Sequence, residues 1–303
     1  MKRLFILASA AIVALASCTK THVVYNEAPE EIGFKAYAGA MTKAVDQWDV
    51  NTEVMGLFAY EAGTTTNHLD NVMFKKDGES FVGWSGTAHQ PYYWPLGKNL
   101  DFVVYAPYTG SAVYNHTTKA LTIPVDNSGN DQIDVLYGAE MLDDTPKSAS
   151  ANTVDMKHAL AWIQVNIKAD QADVLKVNTL TLTDIFESAT MKVSYADVDS
   201  PVLSWESTVT DDRSLFATAT TIGTSYTTVE FLIIPAADQT TLEMEYDLGT
   251  NTGKTWSKDL EGDWKAGYKY VYNIEVGASE IKIAPTVDPW DTSVPAEDFS
   301  VEQ

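Results

Sequence analysis

The chain has 303 residues, 42 of them acidic and 20 basic, for a formal net charge of −22. A surface this acidic repels polyphosphates, which excludes nucleic acid as a natural partner, and its charge instead keeps a protein soluble. Cys18 is the only cysteine, so no internal disulfide can form.

In chain order, Met1, Lys2 and Arg3 precede an apolar run from Leu4 to Leu15, then Ala16, Ser17 and Cys18. A basic start, an apolar stretch shorter than a bilayer span and small residues before a cut describe a secretory signal over residues 1–17. Leu15-Ala16-Ser17-Cys18 fits a bacterial lipobox, so Cys18 is the expected lipid attachment site. Each buried methylene of an acyl chain adds about 0.8 kcal/mol, and several chains hold firmly. Thr19 stands where an aspartate would signal retention at the inner membrane, which points to outer-membrane lipid as a partner. Residues 18–31 read as a tether ending at Pro29, Glu30 and Glu31.

Apolar alternation begins at Ile32, Phe34, Ala36 and Ala38. It recurs at Val54 to Tyr60, Leu100 to Tyr105, Ala120 to Val125, Ala161 to Ile167, Thr179 to Thr183, Thr228 to Ile234, Leu242 to Leu248 and Tyr268 to Val276. These segments are rich in Val, Ile, Thr, Tyr and Phe. Polar turns such as Asn127-Ser128-Gly129-Asn130 and Asn251-Thr252-Gly253 divide them, and Asp143 to Thr153 reads as a long loop. The expectation is an all-β protein of antiparallel sandwiches. The length suits two domains, over 32–168 and 169–277. A last segment, 278–303, carries Ile281, Ile283, Pro285 and Val287 in alternation and then Trp290. A strand able to leave its sheet exposes backbone groups and a groove that another chain can fill, so both terminal segments are candidates for exchange.

Catalytic and metal-binding patterns are weak. His22, His68, His89, His116 and His158 are scattered without metal spacing, and His158 reads as a hydrogen-bonded structural histidine. Gly83-Trp84-Ser85-Gly86 lacks the spacing of a nucleophile elbow and reads as a turn. Pairs such as Asp143-Asp144 and Asp211-Asp212 follow from the abundance of acids and nominate no glycosidase couple. Asp126 to Asp131 offers oxygen ligands but no terminal bidentate Glu, so a turn is favoured over a calcium loop. Trp84, Tyr92, Tyr93 and Trp94, with Trp256 and Trp264, could stack on sugars, but large aromatics more often fill cores. No cofactor, metal or enzymatic activity is expected.

Several segments together resemble the Bacteroidetes fimbrillin (Mfa-like) family. They are Thr42-Lys43-Ala44, Trp48, Met55-Gly56-Leu57-Phe58-Ala59-Tyr60, Tyr93-Trp94-Pro95, Leu100-Asp101-Phe102-Val103-Val104-Tyr105-Ala106-Pro107, Asp134-Val135-Leu136-Tyr137-Gly138, Met156-Lys157-His158-Ala159-Leu160, and Trp264 to Ile274. Their shared order spans residues 32 to 290.

The resemblance implies a type V pilus subunit: a lipoprotein precursor with two tandem transthyretin-like β-sandwich domains, carried to the outer membrane and cell surface. It implies partnership with other pilus subunits by strand exchange and adhesion to host or bacterial surface ligands. The removable strand would carry Ile32, Phe34, Ala36 and Ala38, and the donor strand Ile281, Ile283, Val287 and Trp290. Processing would fall at Lys43 and Ala44, but the family's arginine is replaced by Lys43, so an arginine-specific protease could not act there. A monomeric glycan-binding surface lipoprotein is the alternative.

Overall fold

The computed structural model describes residues 30–38, 54–78, 80–128, 132–140, 152–172, 174–216, 218–235, 240–260 and 264–290. Among them every regular element is a strand. In chain order these are β1 (Gly33–Ala38), β2 (Val54–Glu61), β3 (Asn67–Asp77), β4 (Ser80–Ser85), β5 (Ala88–His89), β6 (Leu100–Ala106), β7 (Val113–Asn115), β8 (Ala120–Asp126), β9 (Leu136–Glu140) and β10 (Asn152–His158). There follow β11 (Ala161–Ala169), β12 (Leu175–Ser194), β13 (Val202–Ser214), β14 (Thr220–Ile222), β15 (Thr227–Ile233), β16 (Thr240–Leu248), β17 (Asn251–Leu260), β18 (Tyr268–Val276) and β19 (Ile281–Pro289).

The first sheet runs β1-β10-β9-β6-β2-β3-β4-β5, and β1 also pairs with β4. That extra pairing closes the sheet into a ring with only β5 outside it, which removes its open edges. Inside lie Ile32, Phe34, Met55, Leu57, Phe74, Phe81, Leu100, Phe102, Val104, Leu136, Val154 and Met156. β2 and β6 read as continuous apolar runs because both of their faces are covered. Met55, Leu57 and Ala59 point into the ring, while Phe58 and Tyr60 point out of it into a second core.

That second core lies between the outside of the ring and β7, β8 and the C-terminal half of β12, with Tyr105, Tyr114, Leu121, Met191 and Tyr195 among its members. The third core lies between the sheet β15-β11-β18-β19 and the sheet containing β16, β17 and the N-terminal half of β12. β12 joins the two halves, pairing with β16 through Leu175 to Leu180 and with β8 through Ser188 to Ser194. Its ladder with β13 shifts register three times between Leu182 and Thr190, near Asp184 with its positive φ of 56°. Bulges of this kind let one strand bend from one core to the next. Two pairings, β1 with β10 and β11 with β18, are parallel and the rest antiparallel.

Candidate functional site

β1 is held on both sides. Phe34 to Ala38 pair in parallel with Asn152 to Met156 of β10, which places Ala36 opposite Val154 and Ala38 opposite Met156. On the other side Gly33 and Phe34 pair with Val82 and Phe81 of β4. Just before β1, the Ile32 N–H donates to the Tyr92 carbonyl at 2.7 Å, and the Trp94 N–H to the Glu30 carbonyl at 2.8 Å.

Alternation drives Ile32 and Phe34 into the ring, where both are fully buried. Phe34 meets Phe102 and Phe74 edge-on at centroid distances of 4.7 and 5.7 Å. β1 is therefore the strand that completes a closed wall, and its loss would leave an apolar slot between β10 and β4.

β19 is bound differently. It pairs with β18 along its whole length, from Val276 opposite Ile281 to Tyr268 opposite Pro289. Among the described residues its other edge carries no strand. Ile281, Ile283 and Val287 lean on the third core but stay half-exposed, while Lys282, Ala284, Thr286 and Asp288 face solvent.

The strand is fastened at its end by Trp290, which is buried and whose N–H donates to the Gly267 carbonyl at 2.8 Å. The Trp290 indole stacks on the His158 imidazole at 4.0 Å and leans on Trp162 at 5.5 Å. His158 Nδ1 in turn lies 2.6 Å from Asp134 Oδ2, with both side chains buried. Burial pushes the Asp134 carboxyl above the usual carboxylate range, and the His158 charge opposes that shift.

Cys18, Lys43 and Ala44 lie outside the described residues, as do Gly129 to Asp131 of the oxygen-rich stretch. Within that stretch, Asp126 Oδ1 accepts from the Ser128 N–H and hydroxyl at 3.1 and 2.6 Å, which holds its carboxyl below the ordinary value. Asn127 is buried and donates to the Leu232 carbonyl at 2.7 Å. Among the described residues no three His, Cys, Asp or Glu side chains are grouped to hold a metal.

The aromatic candidates are largely packing residues. Tyr92 and Trp94 rest against the ring core, and Trp264 is buried with its Nε1–H donating to the Tyr272 hydroxyl at 2.8 Å. Arg213 is partly buried, donating to the Asn127 carbonyl at 2.5 Å and to Glu187 at 3.3 Å, and so ties β13 to β12. Sequence reasoning named His158 as structural without its partners. Asp134 and Trp290 are distant from His158 in sequence, and only the tertiary fold brings them to it.

A family model described as fimbrillin-like matches residues 42–290. A search of curated proteins returns no match. Three similar solved structures share the fold. A candidate cell adhesion protein from Bacteroides uniformis is 20% identical, with 86% of this chain and 99% of that chain covered and a TM-score of 0.59. A second, from Bacteroides ovatus, is 15% identical, with 90% and 100% covered and a TM-score of 0.57. A fimbrial protein from Bacteroides vulgatus is 18% identical, with 86% and 99% covered and a TM-score of 0.51.

Proposed function

Because the chain belongs to the fimbrillin-like family, we propose that it is a structural and adhesive subunit of a type V pilus. In this reading it reaches the outer membrane as a precursor anchored through lipid on Cys18 and joins other subunits at the cell surface by donor-strand exchange. The observation that carries the reading is the contrast between the two terminal strands. β1 closes the ring, with Phe34 and the preceding Ile32 fully buried, whereas β19 lies half-exposed at a sheet edge.

Lys43 and Ala44 fall in the connection between Ala38 at the end of β1 and Val54 at the start of β2. Cleavage there would leave β1 held only by non-covalent contacts, so that it could depart and vacate its slot. The protease would have to accept lysine. A neighbour's β19 would then restore the lost backbone ladders and fill the apolar positions.

The double substitution Ile281→Asp and Ile283→Asp tests this exchange. Both positions are half-exposed at the edge of the chain's own sheet, and a cooperative urea transition checks that the variant subunit folds. In the slot they would replace the fully buried Ile32 and Phe34, where an unpaired charge is not tolerated. The expected result is surface subunits that form no multimers; assembly at the ordinary level would refute the proposal.

A further inference from the structure

Two prolines in β19 restrict how such a strand can enter the slot. In a strand of L-residues, chain direction and the face taken by a side chain together fix the edge to which that residue's N–H and C=O point. On the β1 side, core-facing Ile32 sends its N–H to the Tyr92 carbonyl, on the β4 side of the slot. By alternation Phe34 points the same way, beside its β4 partner Phe81, while Gly33 and Lys35 turn to β10. Among the described residues the β4 ladder ends at Phe34, whereas the β10 ladder runs on to Ala38.

In β19 the Trp290 N–H is directed at Gly267, toward β18. Alternation therefore turns the backbones of Ile281, Ile283, Pro285, Val287 and Pro289 to the outer edge. Pro285 and Pro289 have no N–H to offer, so that edge is blunted against addition of another strand while β19 stays in its own sheet.

Building on strand exchange as the mode of assembly, we propose that β19 from a second copy of this chain enters the slot in β1's own direction, parallel to β10. Ile281 and Ile283 take the places of Ile32 and Phe34. In this direction their N–H groups turn to Tyr92 and β4, as those of Ile32 and Phe34 do. Pro285 arrives at the position of Ala36, past the last β4 pair, where its missing N–H leaves no described acceptor unmatched. Lys282, Ala284 and Thr286 face β10 with their donors intact. In the reverse direction the proline nitrogens would face β10 and break the longer ladder.

Disulfide trapping separates the two directions. Thr153 and Asp155 of β10 and Thr286 of β19 are exposed, and Cys18 is the only native cysteine. In the β1 register Tyr37 lies opposite Asp155 and Lys35 opposite Thr153. The proposed entry puts Thr286 at the place of Tyr37, beside Asp155; reversal about Pro285 puts it beside Thr153. Full chains carrying Thr286→Cys with either Asp155→Cys or Thr153→Cys are produced in cells, and surface assemblies are oxidised and run without reductant. Neighbouring strand positions lie close to disulfide reach.

The expected result is a ladder of covalent multimers from the Asp155 pair and none from the Thr153 pair. A ladder from the Thr153 pair, alone or with the other, overturns the proposed direction and register while strand exchange stands. No ladder from either pair overturns both.

Discussion

Gly56 and Tyr105 sit opposite each other on β2 and β6, and a Cβ at Gly56 would overlap the Tyr105 ring. The ring lies across the glycine and brings its hydroxyl to 2.6 Å from Asn71 Oδ1 and 2.7 Å from the Thr109 carbonyl. Gly56→Ala therefore overpacks the second core, and chemical denaturation is expected to show a loss of about 1–3 kcal/mol. The Asp134–His158 pair makes a sharper prediction, because removing one partner strands the other in a dry site. Asp134→Ala should cost about 3–5 kcal/mol, and Asp134→Asn, which keeps an acceptor for the imidazole, distinctly less. Equal losses from the two variants would show that the pair is not the stabilising feature. The sequence displayed all four of these residues within recognisable segments. It could not display which faced which, since Asp134 meets His158, and Gly56 meets Tyr105, only through strand pairing.

At the scale of elements, the first and last strands should differ in stability as Phe34 and Ile283 differ in burial. Phe34→Ala empties a fully buried site and is expected to cost about 3–5 kcal/mol. Ile283→Ala, on a half-exposed edge, should cost less than the lower end of the range for buried aliphatic truncations, about 2 kcal/mol. Urea titrations of the two variants check the ordering. Strands with one covered face were legible from alternation: Tyr268 to Val276 coincides with β18, whose buried and half-buried residues alternate throughout. Only Thr179 to Thr183 of β12 was legible, because Asp184, Glu187 and Ser188 interrupt the pattern where the strand bulges between cores. β13 and β17 are exposed and polar along most of their lengths, so no periodic signal marks them. The expected turn at Asn251-Thr252-Gly253 is the start of β17; the chain reverses just before it, at Gly249 with φ +60°. Asn152 and Thr153, expected in a loop, open β10, whose parallel pairing with β1 joins segments too far apart in sequence for local pattern to reveal.

Across the whole molecule, Tyr105, Tyr114, Tyr137 and Tyr195 converge on the core between ring and second sheet. Burial raises all four phenols, Tyr114 and Tyr137 to about 12. An unfolded chain releases these protons near pH 10, whereas the folded core retains them. Their contribution to stability is therefore complete below pH 10 and declines as pH rises toward 12. Thermal melts should accordingly fall across that interval, with ultraviolet absorbance reporting phenolate formation together with unfolding. The same core joins the ring that β1 completes to the half of the molecule that carries β19. The most direct test of the proposed strand exchange is the N-terminal sequence of subunits recovered from surface assemblies. The account predicts chains that begin after Lys43 and lack β1; assembled subunits that begin at Cys18 and retain Ile32 to Ala38 on an unbroken chain would contradict it.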